Sequence, residues 1–177
     1  MSEPEHNGGN DPNRRDFIYI AAGVGAAGAV ASALVPLISQ MNPAADTLAL
    51  ASIEYDLSKV TEGQQVVVKW RGKPLFVRYR TKKEIQEAQA VDIKSLRDPQ
   101  ADSDRVKKGH EQYLIVVGVC THLGCVPNFG GGEYGGWLCP CHGSQYDTSG
   151  RIRQGPAPAN LPVPDYVFLT DSKIKVG

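Results

Sequence analysis

The chain has 177 residues, with 19 Lys+Arg balanced by 19 Asp+Glu. That length holds one ordinary domain plus an appendage, and the balanced charge leaves no basic footprint for nucleic acid. The short runs Lys82-Lys83 and Lys107-Lys108 read as solvated faces. Residues 1–16 are polar and turn-rich, a disordered cytoplasmic lead by composition. The lead ends in Arg14-Arg15-Asp16, and no charged residue follows from Phe17 to Ala45. A helix needs roughly 20 apolar residues to cross a bilayer core, so residues 17–41 are expected to form a transmembrane helix. Gly23, Gly25 and Gly28 would let a neighbouring helix approach closely, and Pro36 would interrupt the backbone ladder near the far end.

Arg14-Arg15 suits two compatible roles, positive-inside anchoring and a twin-arginine export signal. Both put the remainder of the chain outside the cytoplasm. Ala49-Leu50-Ala51 has the small-x-small form of a cleavage site, but the apolar run exceeds a usual signal core, so the segment is expected to be retained. Residues 42–52 form a flexible neck of small residues, and a head follows over 53–177. Within it, residues 65–70 and 74–80 read as strands of a hairpin around Arg71-Gly72. Thr81 with Glu84 forms a capping-box pattern for a helix over 82–90. Residues 95–112 are polar, carry no recognisable motif and are expected to be a surface loop. Residues 113–119 read as a buried strand, the glycines at 130–132 and 135–136 as turns, and residues 163–169 and 173–176 as closing strands. The head is therefore mainly antiparallel β. His6 and His110 lie in polar segments and are expected to be solvated.

All four cysteines lie between Cys120 and Cys141, with His122 and His142 among them. The pattern is Cys120-Thr121-His122, sixteen residues, then Cys139-Pro140-Cys141-His142. A Cys₂His₂ zinc site suits these donors, although the Cys-x-His spacing is not that of a zinc finger. Two disulfides would account for the cysteines and leave both histidines unused. An iron–sulfur site with two Cys on one iron, two His on the other and one disulfide would use all six residues.

The boxes Cys120-Thr121-His122-Leu123-Gly124-Cys125 and Cys139-Pro140-Cys141-His142-Gly143-Ser144 resemble those of the Rieske family in its quinol-oxidising membrane complexes. Gln145-Tyr146-Asp147, Gly150-Arg151-Ile152, Gly155-Pro156-Ala157-Pro158 and the Gln40-Met41-Asn42-Pro43 helix exit are similar to that family as well. The resemblance implies a Rieske-type antiparallel β-sandwich head with a cluster-binding loop subdomain at about 113–162. It implies one [2Fe–2S] cluster held by Cys120, His122, Cys139 and His142, and a disulfide between Cys125 and Cys141. Such a bond needs an oxidising compartment, in agreement with export. Two neutral imidazoles in place of two thiolates make the cluster less negative, which raises its potential into a range of about −150 to +300 mV.

By the same resemblance, Ser144 donates to a bridging sulfide, Tyr146 donates to a cysteine thiolate, and Leu123, Gly124 and Pro156 cover the cluster. His142, beside His122 at the tip, is expected to hydrogen-bond a quinol and take its proton, with the electron passing on to a c-type haem. The implied setting is a dimeric cytochrome bc complex with b-type and c-type subunits, in the inner membrane, with a single span and a periplasmic head. A plastoquinol-oxidising bf-type complex, or another membrane-bound oxidase, is the alternative within the family. The span and the second cysteine pair argue against a soluble ferredoxin.

Overall fold

The computed structural model describes residues 14–42 and 51–177. Most of the expected lead, residues 1–13 of 1–16, and most of the expected neck, residues 43–50 of 42–52, lie outside them. The chain divides into two units, residues 1–45 and 46–177.

In the first unit, helix α1 runs Arg14–Ser39, 26 residues. At 1.5 Å per residue it is about 39 Å long, enough for a bilayer core of about 30 Å. It begins at the arginine pair, three residues before the expected start, with Asp16 in its first turn, where a negative charge complements the helix dipole. Phe17, Ile20, Val24 and Leu37 are all at least 60% exposed. No described part of the protein covers them, and α1 is long and apolar enough to cross a membrane.

The second unit is built from three antiparallel sheets. The first has the order β1 (Ile53–Asp56), β10 (Lys173–Val176), β9 (Tyr166–Thr170). The second is β2 (Gln65–Trp70), β3 (Lys73–Tyr79), β4 (Tyr113–Val117). The third is β5 (Asn128–Phe129), β6 (Gly135–Leu138), β7 (Gln145–Asp147), β8 (Ile152–Gln154). The β2–β3 turn is the expected Arg71-Gly72, with both φ angles positive, the two-residue form that matches strand twist.

Alternation along β3 and β4 makes the second sheet a middle layer. Leu75, Val77, Ile115 and Val117 face a core shared with Leu57, Tyr166, Ile174 and Val176. Phe76, Leu114 and Val116 face a second core with Trp137, Tyr146, Ile152, Leu161, Cys120 and Cys139. Burial on both faces explains why residues 113–117 read as an unbroken apolar run.

Helix α2 (Lys82–Gln89) carries the expected capping box: Glu84 N–H donates to Thr81 Oγ1 at 3.2 Å, and Thr81 N–H donates to Glu84 Oε2 at 2.7 Å. Other expectations need correction. Residues 95–112 are irregular and largely exposed, as expected of a surface loop, but the segment is also anchored in the interior. Leu96, Asp102, Arg105 and Val106 are buried, and Arg80 pairs with Asp102 at 2.6 Å with both side chains almost fully enclosed. Part of the polarity of this strap serves buried partners: Arg105 donates to the carbonyls of Ser149 and Leu161, each at 2.6 Å. His110 is only partly exposed, because its ring stacks on Phe168 with centroids 3.7 Å apart. Strand β1 was not anticipated, and β9 starts at Tyr166, after Pro162 and Pro164.

Candidate metal centre

The first Cys/His box follows β4, and the second joins β6 to β7. Both fold into the same turn. Cys120 N–H donates to Cys125 O at 2.8 Å and Gly124 N–H to Cys120 O at 2.9 Å; Cys139 N–H donates to Ser144 O at 2.8 Å and Gly143 N–H to Cys139 O at 3.0 Å. Gly124 and Gly143 occupy equivalent positions with φ of 81° and 73°, a left-handed conformation that costs a side chain about 1–2 kcal/mol. Two nearly identical loops thus face each other, each bringing one Cys and one His.

Cys125 and Cys141 are joined as a disulfide, as the resemblance implied. Cys139 Sγ lies within 4.8 Å of both disulfide sulfurs, but a bonded pair has no thiolate to offer a metal. The two remaining cysteines, Cys120 and Cys139, are free and each only 2% exposed. The rings of His122 and His142 meet edge to face with centroids 4.6 Å apart. His122 is half-buried and its Nδ1 is a buried atom without a hydrogen-bond partner. A buried, unsatisfied imidazole nitrogen is costly, and ligation to a metal removes that cost. Two enclosed thiols, two adjacent imidazoles and the unpartnered nitrogen form the mixed donor set that fits a Rieske [2Fe–2S] cluster.

The surroundings favour negative charge on the Cys120 sulfur. Tyr146 Oη lies 3.2 Å from Cys120 Sγ with both groups buried. Burial pushes the Cys120 thiol up, but hydrogen bonds from Tyr146 and the His122 N–H, with Cys139 and Ser144, outweigh it and leave Cys120 below an ordinary thiol. Burial pushes Cys139 up, and the neighbouring Cys120 adds to that rise. Burial and Cys120 together keep the Tyr146 phenol protonated far above its usual range, so it remains a donor.

Ser144 is buried, and Leu123, Gly124 and Pro156 are exposed, Leu123 at 70%. His142 is exposed as well. Sequence reasoning missed Thr121, whose hydroxyl donates to Ala159 O at 2.6 Å and lies 3.4 Å from Tyr146 Oη. It also missed Asn160, whose Oδ1 accepts from Ile152 N–H at 2.9 Å while its own N–H donates to Asp98 Oδ2 at 2.9 Å. Arg97 and Arg105, both in the expected surface loop, were missed too. Their partners are mostly backbone carbonyls distant in sequence, which leave no mark on residue type.

Two family models match the chain. The Rieske [2Fe-2S] domain matches residues 53–166, and the model described as Ubiquitinol-cytochrome C reductase Fe-S subunit TAT signal matches residues 4–44. The ubiquinol-cytochrome c reductase iron-sulfur subunit of Bradyrhizobium diazoefficiens is 62% identical over 167 residues, covering 94% of this chain and 95% of that protein. That of Rickettsia conorii is 56% identical over 178 residues, covering both chains completely. Among solved structures, a chain of a hyperthermophilic respiratory Complex III is similar with a TM-score of 0.54 at 32% identity, covering 87% of this chain and 98% of the other.

Proposed function

This chain belongs to the Rieske family as an iron–sulfur subunit of ubiquinol–cytochrome c reductase, and from that premise we propose how its residues divide the work of electron transfer. It carries one [2Fe–2S] cluster and transfers electrons in a cytochrome bc complex. When bound, the cluster supplies a one-electron acceptor made more oxidising by its two neutral imidazole ligands.

Cys120 and Cys139 would hold one iron and His122 and His142 the other. The observation that carries this reading is the partnerless, buried His122 Nδ1 beside the His142 ring. With Nδ1 given to the metal, Nε2 of each histidine is the nitrogen left over. His142 is the exposed one of the two, so its Nε2 accepts the hydrogen bond, and then the proton, of a membrane quinol. Tyr146 and Ser144 donate toward the cluster sulfurs, and the disulfide, Leu123, Gly124 and Pro156 close the loops around them. The subunit works beside b-type and c-type cytochromes in a dimeric complex. Helix α1 crosses the inner membrane once with the head in the periplasm, and the neck at residues 42–52 lets the head visit quinol and haem in turn.

Substituting the ligands tests the assignment. His122→Ala should lose the cluster, and the unsubstituted protein, once reduced, should give an EPR spectrum with the low average g of mixed nitrogen–sulfur ligation. An intact cluster in His122→Ala would refute it. Purification from native membranes should bring b-type and c-type haem with the chain.

A further inference from the structure

We propose that Arg97 is a positioning residue for the redox centre, acting through the loop at residues 155–160 that touches both Cys/His boxes. The Arg97 guanidinium donates through Nη1 to Gly155 O at 2.5 Å and to Ala157 O at 2.7 Å, across some sixty residues of sequence. The same loop reaches the second box through Ala157, whose N–H donates to Ser144 Oγ at 3.1 Å. It reaches the first box through Ala159, whose carbonyl accepts from Thr121 Oγ1 at 2.6 Å.

Two consequences follow from these bonds. With Ala157 N–H occupying an acceptor lone pair of Ser144, the hydroxyl proton is free for a sulfur. The loop also cannot shift alone: a Cβ on Gly155 would lie 2.6 Å from Ser144 Cα and 2.8 Å from Gly143 O, so loop and box are in backbone contact. The far end of the loop is fixed separately, Asn160 N–H to Asp98 Oδ2 at 2.9 Å and Asn160 Nδ2 to Asp98 O at 3.0 Å. Arg97 therefore fixes the end that aims Ser144. The competing account is that Arg97 is only a solvated cation whose charge adds to the field at the site.

The proposal rests on Ser144 being a cluster donor, and a double-mutant cycle separates the two ideas. Redox titration by EPR on the full chain in its membrane complex would compare Ser144→Ala, Arg97→Ala, Arg97→Lys and the double alanine variant. Hydrogen exchange would be read at the Ala157 amide. Ser144→Ala should lower the midpoint, and Arg97→Ala should lower it by a smaller amount. The double variant should fall no lower than Ser144→Ala alone, and Arg97→Lys should recover part of the loss. Exchange at Ala157 should quicken about tenfold in Arg97→Ala, a loss of about 1.4 kcal/mol of local protection. If Ser144→Ala lowers the midpoint while Arg97→Ala changes neither potential nor exchange, the role of Arg97 is wrong. Fully additive shifts overturn it in favour of a pure charge effect. An unchanged midpoint in Ser144→Ala removes the donor reading, and the proposal falls with it.

Discussion

Tyr146 shows how one hydroxyl can tune the centre. Its ring is 1% exposed and its Oη sits 3.2 Å from Cys120 Sγ, where the low local dielectric strengthens a hydrogen bond. Reduction adds negative charge near that sulfur, so the donor stabilises the reduced state more than the oxidised one. Tyr146→Phe keeps the ring and its packing while deleting the donor. The cluster should be retained and the midpoint should fall by on the order of tens of millivolts, because only the redox-dependent part of a bond worth about 1.5–3 kcal/mol contributes. An unchanged midpoint in a redox titration would refute the role. That Cys120, His122, Cys139, His142, Tyr146 and Ser144 come together was legible because the resemblance couples residue type and spacing. Thr121, Arg97 and Asn160 were not, since any hydrogen-bonding side chain in an unremarkable segment looks the same as these. His110 misled for the opposite reason: a polar neighbourhood in sequence concealed the ring of Phe168, which arrives from β9.

At the scale of elements, the hairpin and the capped helix were readable because their signals are local, an Arg-Gly turn between apolar runs and a Thr three residues before a Glu. The buried anchors of the strap at residues 95–112 were unreadable because its buried polar groups are paired at long range. Asp102 takes Arg80 at 2.6 Å and Ser149 Oγ at 2.5 Å, so removing its carboxylate strands a guanidinium in the interior. Asp102→Ala should cost the head about 3–5 kcal/mol, the usual penalty for breaking a buried pair from one side, visible as a large drop in the head's thermal midpoint. A midpoint within a degree or two of the parent would contradict the burial. The paired boxes depend on a different constraint, the Cys125–Cys141 bond across a separation of 16 residues. A loop of that size is stabilised by about 3 kcal/mol in the chain-entropy account. Cys141→Ser should therefore fold but shed its cluster on mild warming faster than the parent, as measured by iron content and EPR amplitude. Equal retention would mean that the two turns hold themselves.

For the whole molecule, the question is where motion between quinol and haem could be accommodated. Electron tunnelling weakens steeply with distance, so a single resting position serves two separated partners poorly. The chain is already fixed at Ala51, whose carbonyl accepts from Trp70 Nε1 at 2.9 Å and Arg71 Nε at 3.0 Å. Ile53 then enters β1 opposite Val176. Any pivot must consequently lie upstream of Ala51, which narrows the proposed neck to the small residues before it. Hinges are a few residues that absorb large backbone changes, and proline removes that freedom by locking φ. Ala49→Pro with Leu50→Pro should leave the EPR spectrum and midpoint as they are, because both residues are some seventy positions from the first box in sequence. Quinol-to-cytochrome turnover in the assembled complex should nonetheless fall several-fold. A second substitution locates the boundary: Trp70→Phe frees one of the two bonds on Ala51 and should partly restore turnover in the proline background. Normal turnover in a correctly assembled double-proline variant would show that the head does not need to move about this neck.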